Sequence, residues 1–362
     1  MRKMAALSYA ISRSLLALAI GITCVVSSAS ALNSSASDGV ATESLLHLRG
    51  QVPIAQVERV FAAGPPAAVI LSQLAPAQLV SWPRNLQKKQ LELLPPVTRD
   101  LPALGSLAGR GSTVSMEQLV ALQADLIVDV GNVNAHYLSM AERVNQDTGI
   151  TYALLSGRLA QSPQQYRELG RLLGKEQRAE ELAHAAEVIL QEAEVLRQQG
   201  VAKGKRFYMA RSADGLETGL SHSIHTEVLR TLGIHHVADE LAGERLARVS
   251  MEQVLLWQPD VILTHSEAFL ATVYEHPLWR KVPAVQKQQV YLVPSLPFGW
   301  LDEPPGVNRL LGLLWLSQWL KQAPEAEQIA KIREFYRLFY NVSLDDEQIR
   351  SFLIAPVIFD EH

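Results

Sequence analysis

The chain alternates short apolar runs with amphipathic segments from about residue 57 onward. Apolar, β-prone runs are typical of buried strands, and a 3.6-residue apolar repeat is typical of helices that pack on a sheet. The predicted strands span residues 57–63, 79–82, 126–130, 206–210, 260–264 and 289–293. The predicted helices span residues 67–74, 226–232, 307–320 and 326–339. This order predicts an α/β fold whose parallel-type sheets carry helices on both faces.

Residues 163–200 carry a longer helical pattern with no strand-like run inside it. Ser162 is a suitable N-cap, and Pro163 is a suitable first helical residue. The apolar stripe continues past Gly174, and Gly200 closes it. We therefore predict one long, rigid helix over residues 163–200 that joins two α/β halves.

An internal repeat supports two halves of like topology. Residues 114–128 read VSMEQLVALQADLIV and residues 249–263 read VSMEQVLLWQPDVIL, with eight identities in fifteen positions. Each copy fits a serine N-cap, Ser115 or Ser250, then a short amphipathic helix and a buried strand. The alternative is a chance similarity of two helix–strand units. The repeat predicts an N-terminal lobe over residues 56–162 and a C-terminal lobe over residues 201–362.

The N-terminus has the features of an export signal. Basic residues precede an apolar run from Leu15 to Val26, and small residues end the segment at Ala31. The run is too short to span a bilayer comfortably, although an uncleaved anchor is the alternative. We expect a signal peptide over residues 1–31, cleavage after Ala31, a periplasmic location, and a flexible, serine-rich lead-in over residues 32–55.

Charge and cysteine content exclude several classes of protein. The formal charge is −4, and loss of three of the 33 basic residues with the signal peptide leaves −7, which argues against a nucleic-acid partner. Cys24, the one cysteine, leaves with the signal peptide, so the mature chain has no disulfide and no thiolate ligand. The sequence also lacks a P-loop, an HExxH helix, a GxSxG elbow and a GxGxxG loop after a strand. We predict a protein that is not an enzyme and has no cofactor of its own.

At this point the sequence resembles the periplasmic binding proteins of ABC importers for iron siderophores, haem and vitamin B12. The resemblance covers residues 56–340, and its marks are the two repeat segments and the long helix between them. The runs at 214–219 and 298–309 are similar to a metal-chelate subgroup. It implies a monomer of two Rossmann-like lobes, joined by one long helix, with the ligand in the cleft between them.

The resemblance also implies a docking role for Glu117 and Glu252, which occupy equivalent places in the repeat. In the family, glutamates at these places lie on the outer ends of the lobes and pair with arginines of the permease dimer. Two like charges held apart on a rigid body can fix a partner's orientation. The alternative is that each glutamate only complements the dipole of its helix.

Candidate ligand-binding residues in the first half follow from topology, because ligands of α/β sheets bind beyond the carboxyl ends of strands. Arg110 stands between two glycines and could bind a carboxylate or phosphate, or could be a solvated loop residue. The loop after the strand at 126–130 adds further candidates, although its asparagines could be plain turn residues: Asn132, Asn134, His136 and Tyr137.

In the second half the same reasoning selects residues after the strands at 206–210, 260–264 and 289–293: Arg211, His222, His225, His265 and Trp300. His222 and His225 are three residues apart and would share a helical face, so they are candidate metal ligands. Loop histidines are nevertheless commoner than ligands. Trp300 could pack flat against a chelate or belong to the core.

Asp302 and Arg309 are expected to form a structural pair across the Pro304–Pro305 turn. The function predicted from these observations is capture of a metal chelate, most simply a ferric siderophore or related iron complex. Haem, cobalamin, a nickel chelate and an oxyanion such as molybdate are the other ligand candidates. The competing hypotheses are a two-lobed enzyme, such as a metal chelatase or glycosyltransferase, and an exported metallochaperone for a bare ion.

Overall fold

The computed structural model describes residues 45–51, 57–108 and 112–353. The predicted signal peptide, its cleavage point after Ala31 and the candidate ligand residue Arg110 lie outside these residues. Within the described ranges no helix combines the length and the apolar character needed to cross a membrane.

The first lobe is built on a four-stranded sheet. Its strands are β1 Leu46–Arg49, β2 Val60–Ala62, β3 Leu126–Gly131 and β4 Thr151–Ser156. The strand order is β1-β4-β3-β2, in which β2, β3 and β4 are parallel and β1 pairs antiparallel with β4. The strands β3 and β4 are buried almost throughout.

Two expectations for this lobe were wrong. Residues 46–49 are not a flexible lead-in, because Leu46 and Leu48 pack on the core while the backbone hydrogen-bonds to the edge of β4. Residues 79–82 do not form a full strand either. Leu79 and Trp82 each make a single bridge, to Val60 and Ala103, and no continuous ladder follows.

The helices of the first lobe cover the sheet from both sides and lead into the junction. They are α1 Pro65–Leu74, α2 Lys88–Leu91, α3 Met116–Ala121, α4 Ala135–Thr148, α5 Ser162–Leu173 and α6 Glu176–Gln199. The predicted helix over 67–74 is confirmed, with Pro65 and Pro66 at the start of α1, where prolines cost no hydrogen bond.

The predicted single helix over residues 163–200 is divided in two. Gly174 adopts φ +64°, a left-handed conformation that ends α5, and its N–H bonds to the carbonyl of Gly170. The chain then turns and α6 continues without a break for 24 residues. The apolar stripe runs across the turn because both helices bury one face, so periodicity alone hides the break.

The second lobe repeats the parallel arrangement. Its strands are β5 Arg206–Ala210, β6 Glu217–Gly219, β7 His235–His236, β8 Leu246–Arg248, β9 Val261–Thr264 and β10 Val290–Leu292. Four of them form a parallel sheet in the order β10-β9-β5-β7, and β6 and β8 form a separate antiparallel pair. The predicted strands at 206–210, 260–264 and 289–293 are confirmed to within one residue at either end.

The remaining helices belong to the second lobe and the C-terminal segment. They are α7 Glu227–Thr231, α8 Met251–Trp257, α9 Glu267–Val273, α10 Pro283–Gln286, α11 Arg309–Leu320, α12 Glu325–Phe335 and α13 Asp346–Leu353. Short 3₁₀ turns lie at Pro96–Thr98, Leu159–Gln161, Ile224–Thr226, Val237–Glu240 and Trp279–Lys281. A π-helical turn over Tyr336–Tyr340 extends α12, close to the helix predicted at 326–339.

The two repeat segments fold alike. The Ser115 hydroxyl accepts a hydrogen bond from the Gln118 N–H, and the Ser250 hydroxyl accepts one from the Gln253 N–H, both at 3.2 Å. The helices that follow, α3 and α8, lead into β3 and β9, which are inner strands of their sheets. The like topology predicted from the repeat is therefore confirmed.

One apolar core is shared by the lobes. A continuous cluster of buried side chains runs from the first sheet through α5 and α6 to the C-terminal helices, and it reaches one face of the second sheet. Lys331 of α12 forms a salt bridge with Glu192 of α6 at 2.7 Å, which links these two helices beside the cluster. Packing of this kind opposes large movements of one lobe against the other.

The expected Asp302–Arg309 pair is not formed. Arg309 is 1% exposed and pairs with Glu227 at 2.8 Å, while it also donates to the carbonyls of Ile224 and Gly157. Because Gly157 follows β4 of the first lobe, this guanidinium joins the two lobes. Asp302 is engaged elsewhere, as described below.

The packing of α5 on α6 gives a stability prediction. A Cβ at Gly170 would overlap the Cβ of Ala179. Alanine is a better helix former than glycine by about 1 kcal/mol, so without a steric clash Gly170→Ala would stabilise the fold. We expect Gly170→Ala to lower the free energy of unfolding by about 1–3 kcal/mol, the usual cost of overpacking, in urea denaturation.

The matched control is the double variant Gly170→Ala, Ala179→Gly, which removes the second methyl group. A clash predicts a favourable coupling energy between the two sites, because the space is restored. Equal effects of Gly170→Ala in both backgrounds would contradict the clash.

Candidate functional site

A cleft of about 560 Å³ lies between residues of the two lobes. The first lobe lines it with the turn after β2, a nearby loop, and the end of β3 with the loop and helix that follow: Gly64, Pro65, Pro66, Ser106, Ala108, Asp129, Val130, Gly131, Asn132 and Tyr137. The second lobe lines it with segments that follow β5, precede α7 and α11, and enter β8: Arg211, Ile224, His225, Glu244, Arg245, Leu246, Pro304 and Pro305. Its position at the carboxyl ends of parallel strands is the one that topology predicts.

Four predicted ligand residues line this cleft together: Asn132, Tyr137, Arg211 and His225. Arg110 lies two positions after the lining residue Ala108 in the sequence, and it is outside the described part of the chain. The structure thus brings residues of both lobes to one place, as expected.

Three predicted residues face solvent and do not line the cleft. Asn134 caps α4, since its Oδ1 accepts a hydrogen bond from the Tyr137 N–H at 3.2 Å. His136 is exposed, and its ring meets Tyr137 edge-on with centroids 5.2 Å apart. His222 is exposed on a turn and does not share a face with His225, because no regular helix begins before residue 224. Among the described residues no group of three metal-binding side chains occurs.

Trp300 belongs to the core. It is fully buried, its Nε1 donates to the Leu296 carbonyl at 2.8 Å, and its ring packs against Trp315 and Phe352. The neighbouring Gly299 is required because a Cβ there would overlap the Asp302 carbonyl. The flat contact with a ligand that the sequence suggested therefore has no exposed ring face to provide it.

His265 is also withdrawn from the cleft surface. Both ring nitrogens are buried and have no hydrogen-bond partner among the described residues. Burial lowers the pKa of this imidazole, despite the opposing effect of Glu303 and Asp302, so the ring is neutral at neutral pH.

Arg211 is held by carboxylates. Its side chain is 8% exposed and pairs with the fully buried Asp302, with Glu303 at 3.1 Å and, more distantly, with Glu217 at 3.9 Å. The same Asp302 carboxylate accepts a hydrogen bond from Nδ1 of His225 at 2.8 Å. Burial would raise the pKa of Asp302, but His225 and Arg211 outweigh it and lower the pKa to about 2. Asp302 is thus a permanent anion that fixes both residues.

Asp129 is a cleft residue that the sequence reasoning missed. It is 3% exposed at the end of β3, and its Oδ2 accepts a hydrogen bond from the Tyr152 hydroxyl at 3.0 Å. Burial raises its pKa to about 6, because this hydrogen bond and the Val130 amide only partly offset the loss of water. The available signal was an acidic residue inside the otherwise apolar run LIVDV.

Comparison with known proteins decides the family. A family model described as periplasmic binding protein matches residues 73–296. The chain belongs to this family of periplasmic binding proteins of ABC importers. No curated protein sequence gives a match.

Solved structures agree with this assignment. An ABC transporter solute binding protein from Sulfurospirillum deleyianum is 27% identical, with 83% of this chain and 95% of that chain covered and a TM-score of 0.74. The molybdate periplasmic binding protein of Haemophilus influenzae is 20% identical, with coverage of 82% and 96% and a TM-score of 0.61. The periplasmic vitamin B12 binding protein of Vibrio cholerae is 22% identical, with coverage of 74% and 97% and a TM-score of 0.55.

For this binding protein, the buried Asp129 carboxyl predicts a pH dependence of stability. Its pKa rises from near 3.8 in the unfolded chain to about 6 in the fold, so ionisation costs stability as pH rises from 4 to 6. The cost at pH 7 is at most about 3 kcal/mol. Asp129→Asn keeps an acceptor for Tyr152 and has no charge. We expect the free energy of unfolding of this variant, relative to that of the wild type, to increase by up to that amount between pH 4 and pH 7. Urea denaturation across this pH range measures it.

Asp147→Asn is the control, since Asp147 is exposed in the last turn of α4 of the same lobe. It removes an exposed carboxyl from the same lobe, and the pH dependence of Asp129→Asn is compared with that of this variant. A difference for Asp129→Asn that does not change with pH would contradict the raised pKa.

Proposed function

We propose that the chain is an exported solute-binding protein that captures a metal chelate and delivers it to the permease dimer of an ABC importer. In this proposal residues 1–31 are a signal peptide, the mature protein works as a periplasmic monomer without catalytic activity, and a ferric siderophore or related iron complex is the expected ligand. The observation that carries the proposal is the cleft of about 560 Å³ lined by both lobes.

The size of the cleft supports a small-molecule complex. Ligand pockets for small molecules usually measure about 300–1,000 Å³, and a bare ion needs only three or four converging side chains. The Haemophilus influenzae relative binds molybdate and the Vibrio cholerae relative binds vitamin B12, so metal-containing solutes occur among proteins of this fold.

His225 is the histidine that we expect to contact the bound complex. Its Nδ1 is held by Asp302 at 2.8 Å, and the residue lines the cleft. A carboxylate on one ring nitrogen holds the ring in one orientation. We assign to His225 a polar contact with the chelator of the bound complex, with Asn132 and Tyr137 contacting the chelator from the first lobe.

The docking role of Glu117 and Glu252 belongs to the same proposal. Both side chains are exposed in the first turns of α3 and α8, and a backbone amide, with the capping serine, lowers the pKa of each carboxyl. Each shares its helix face with an exposed apolar residue: Val120, 51% exposed, lies three residues after Glu117, and Leu256, 77% exposed, lies four after Glu252. An acidic group beside an apolar one is suited to a protein partner that presents arginines.

Native mass spectrometry tests the function. Protein purified from its own periplasm should carry a bound metal complex, released on denaturation and accounted for by elemental analysis. The measured mass should correspond to a polypeptide whose first residue is Leu32. A full-length polypeptide found in the cytoplasm, or turnover of a substrate without a bound complex, would contradict the proposal.

Charge reversal tests docking. The double variant Glu117→Arg, Glu252→Arg should bind ligand as the wild type does and abolish uptake, because like charges at an interface cost several kcal/mol. Each single variant should show a weaker defect. Titration of the purified protein and uptake by cells measure the two effects.

Glu92→Arg with Glu347→Arg is the control, since both are exposed glutamates outside α3 and α8. This pair changes net charge equally and should leave uptake intact. A docking variant that folds but no longer binds ligand would show that the glutamates belong to the ligand site instead.

A further inference from the structure

Among the described residues, carboxylates surround one of the two arginines that line the cleft. Within the part of the chain that the structure describes, two guanidinium groups line the cleft, on Arg211 and Arg245. Asp129 and Glu244 line it with them, and three more carboxylates surround Arg211. The described lining thus holds two carboxylates and two guanidinium groups beside the imidazole of His225, and the three further carboxylates surround one of those guanidinium groups.

Arg211 does not present a free positive charge to a ligand. Asp302 is fully buried against it, Glu303 lies 3.1 Å from Nη2, and Glu217 lies 3.9 Å from Nε. A guanidinium that already pairs with carboxylates gains little from a further anion, and an anion that approaches also meets their negative charge. This arginine orders the loop between β5 and β6 and holds Asp302.

The two charges at the rim offset one another. Glu244 and Arg245 are consecutive and exposed, on the segment that leads into β8. Surface charges in water interact weakly and are screened by salt. The rim therefore contributes little net potential to the interior of the cleft.

Asp129 is the carboxylate without a cationic partner. Its polar contacts among the described residues are the Tyr152 hydroxyl and the Val130 amide, and no lysine, arginine or histidine there forms an ion pair with it. A buried, ionised carboxylate without a cationic partner lowers the stability of the fold. A ligand that supplies a cationic or N–H donor at this point would recover part of that cost.

We propose that the cleft recognises a metal complex of positive or zero net charge that presents an ammonium or other N–H donor to Asp129. This inference rests on the proposed function and specifies its substrate class. A tris-hydroxamate complex of ferric iron with a pendant ammonium group fits, because three hydroxamates neutralise the metal. A tris-catecholate complex, with three negative charges, and the molybdate dianion do not fit.

The test compares ferric complexes that differ in charge. The first probe is ferric desferrioxamine B, a linear tris-hydroxamate with a terminal ammonium. The second is its N-acetylated form, which is neutral, and the third is the ferric complex of a hexadentate tris-catecholate. Fluorescence titration should give the highest affinity for the cationic probe, a lower affinity for the acetylated probe and the lowest for the tris-catecholate.

Asp129→Asn identifies the group responsible. Loss of a charge-assisted hydrogen bond should lower the affinity for the cationic probe about tenfold or more and change the affinity for the acetylated probe less than threefold or so. Asp147→Asn, exposed in the same lobe, should change neither affinity. Thermal unfolding of each variant at the titration pH checks that the fold is intact.

Three results would overturn the inference: stronger or equal binding of the tris-catecholate, an equal effect of Asp129→Asn on both hydroxamates, or no binding of any hydroxamate probe. Arg110→Ala is tested alongside, because Arg110 lies two positions after the cleft residue Ala108 in the sequence. Tris-catecholate binding that is lost in this variant would place an anion site there and overturn the inference as well.

These results are distinguishable from failure of the proposed function. A periplasmic preparation that carries an anionic metal complex would refute the charge preference and leave the transport role intact. A preparation that carries no metal complex, from cells whose metal uptake does not depend on the protein, would refute the transport role itself.

Discussion

The buried ion pair between Arg309 and Glu227 fixes how the two lobes meet, and the shape of the cleft depends on it. The guanidinium also bonds to the carbonyl of Ile224 in the second lobe and to that of Gly157 in the first. Loss of one partner would leave a buried charge uncompensated, at a cost of about 3–5 kcal/mol. Since His225 follows Ile224 directly, the same contacts help to fix the position of His225 at the cleft.

A cleft held in this way is formed before the ligand arrives. The apolar core continues from the first lobe through α6 into α11 and α12, so the lobes cannot separate without exposing it. A preformed site loses little conformational entropy on binding, which favours affinity without large closure. The shared core also opposes movement of α3 relative to α8, as the proposed docking of both helices to one partner would require.

Local pattern predicted most of the fold because burial imposes a period on each element. The inner strands β3, β5 and β9 and the helices α1, α11 and α12 all occur where apolar runs place them. The break at Gly174 was missed because α5 and α6 both bury a stripe that continues in phase across the turn. Strand β1 was missed because its four residues sit beside a serine-rich segment and owe their conformation to pairing with β4.

The charge of the cleft was the least predictable property, because the sequence does not reveal which charged side chains form ion pairs in the fold. Arg211 was expected to bind an anion, yet Asp302, 91 positions away in the chain, occupies it. Asp129 was treated only as part of a buried strand. An acidic group inside an apolar run either pairs with a cation or reduces the stability of the fold when it is ionised. Of the two arginines that line the described part of the cleft, Arg211 is paired with other carboxylates. In the selectivity that we propose, the ligand supplies the compensating charge, and a preference for a cationic chelate would follow from the burial of Asp129.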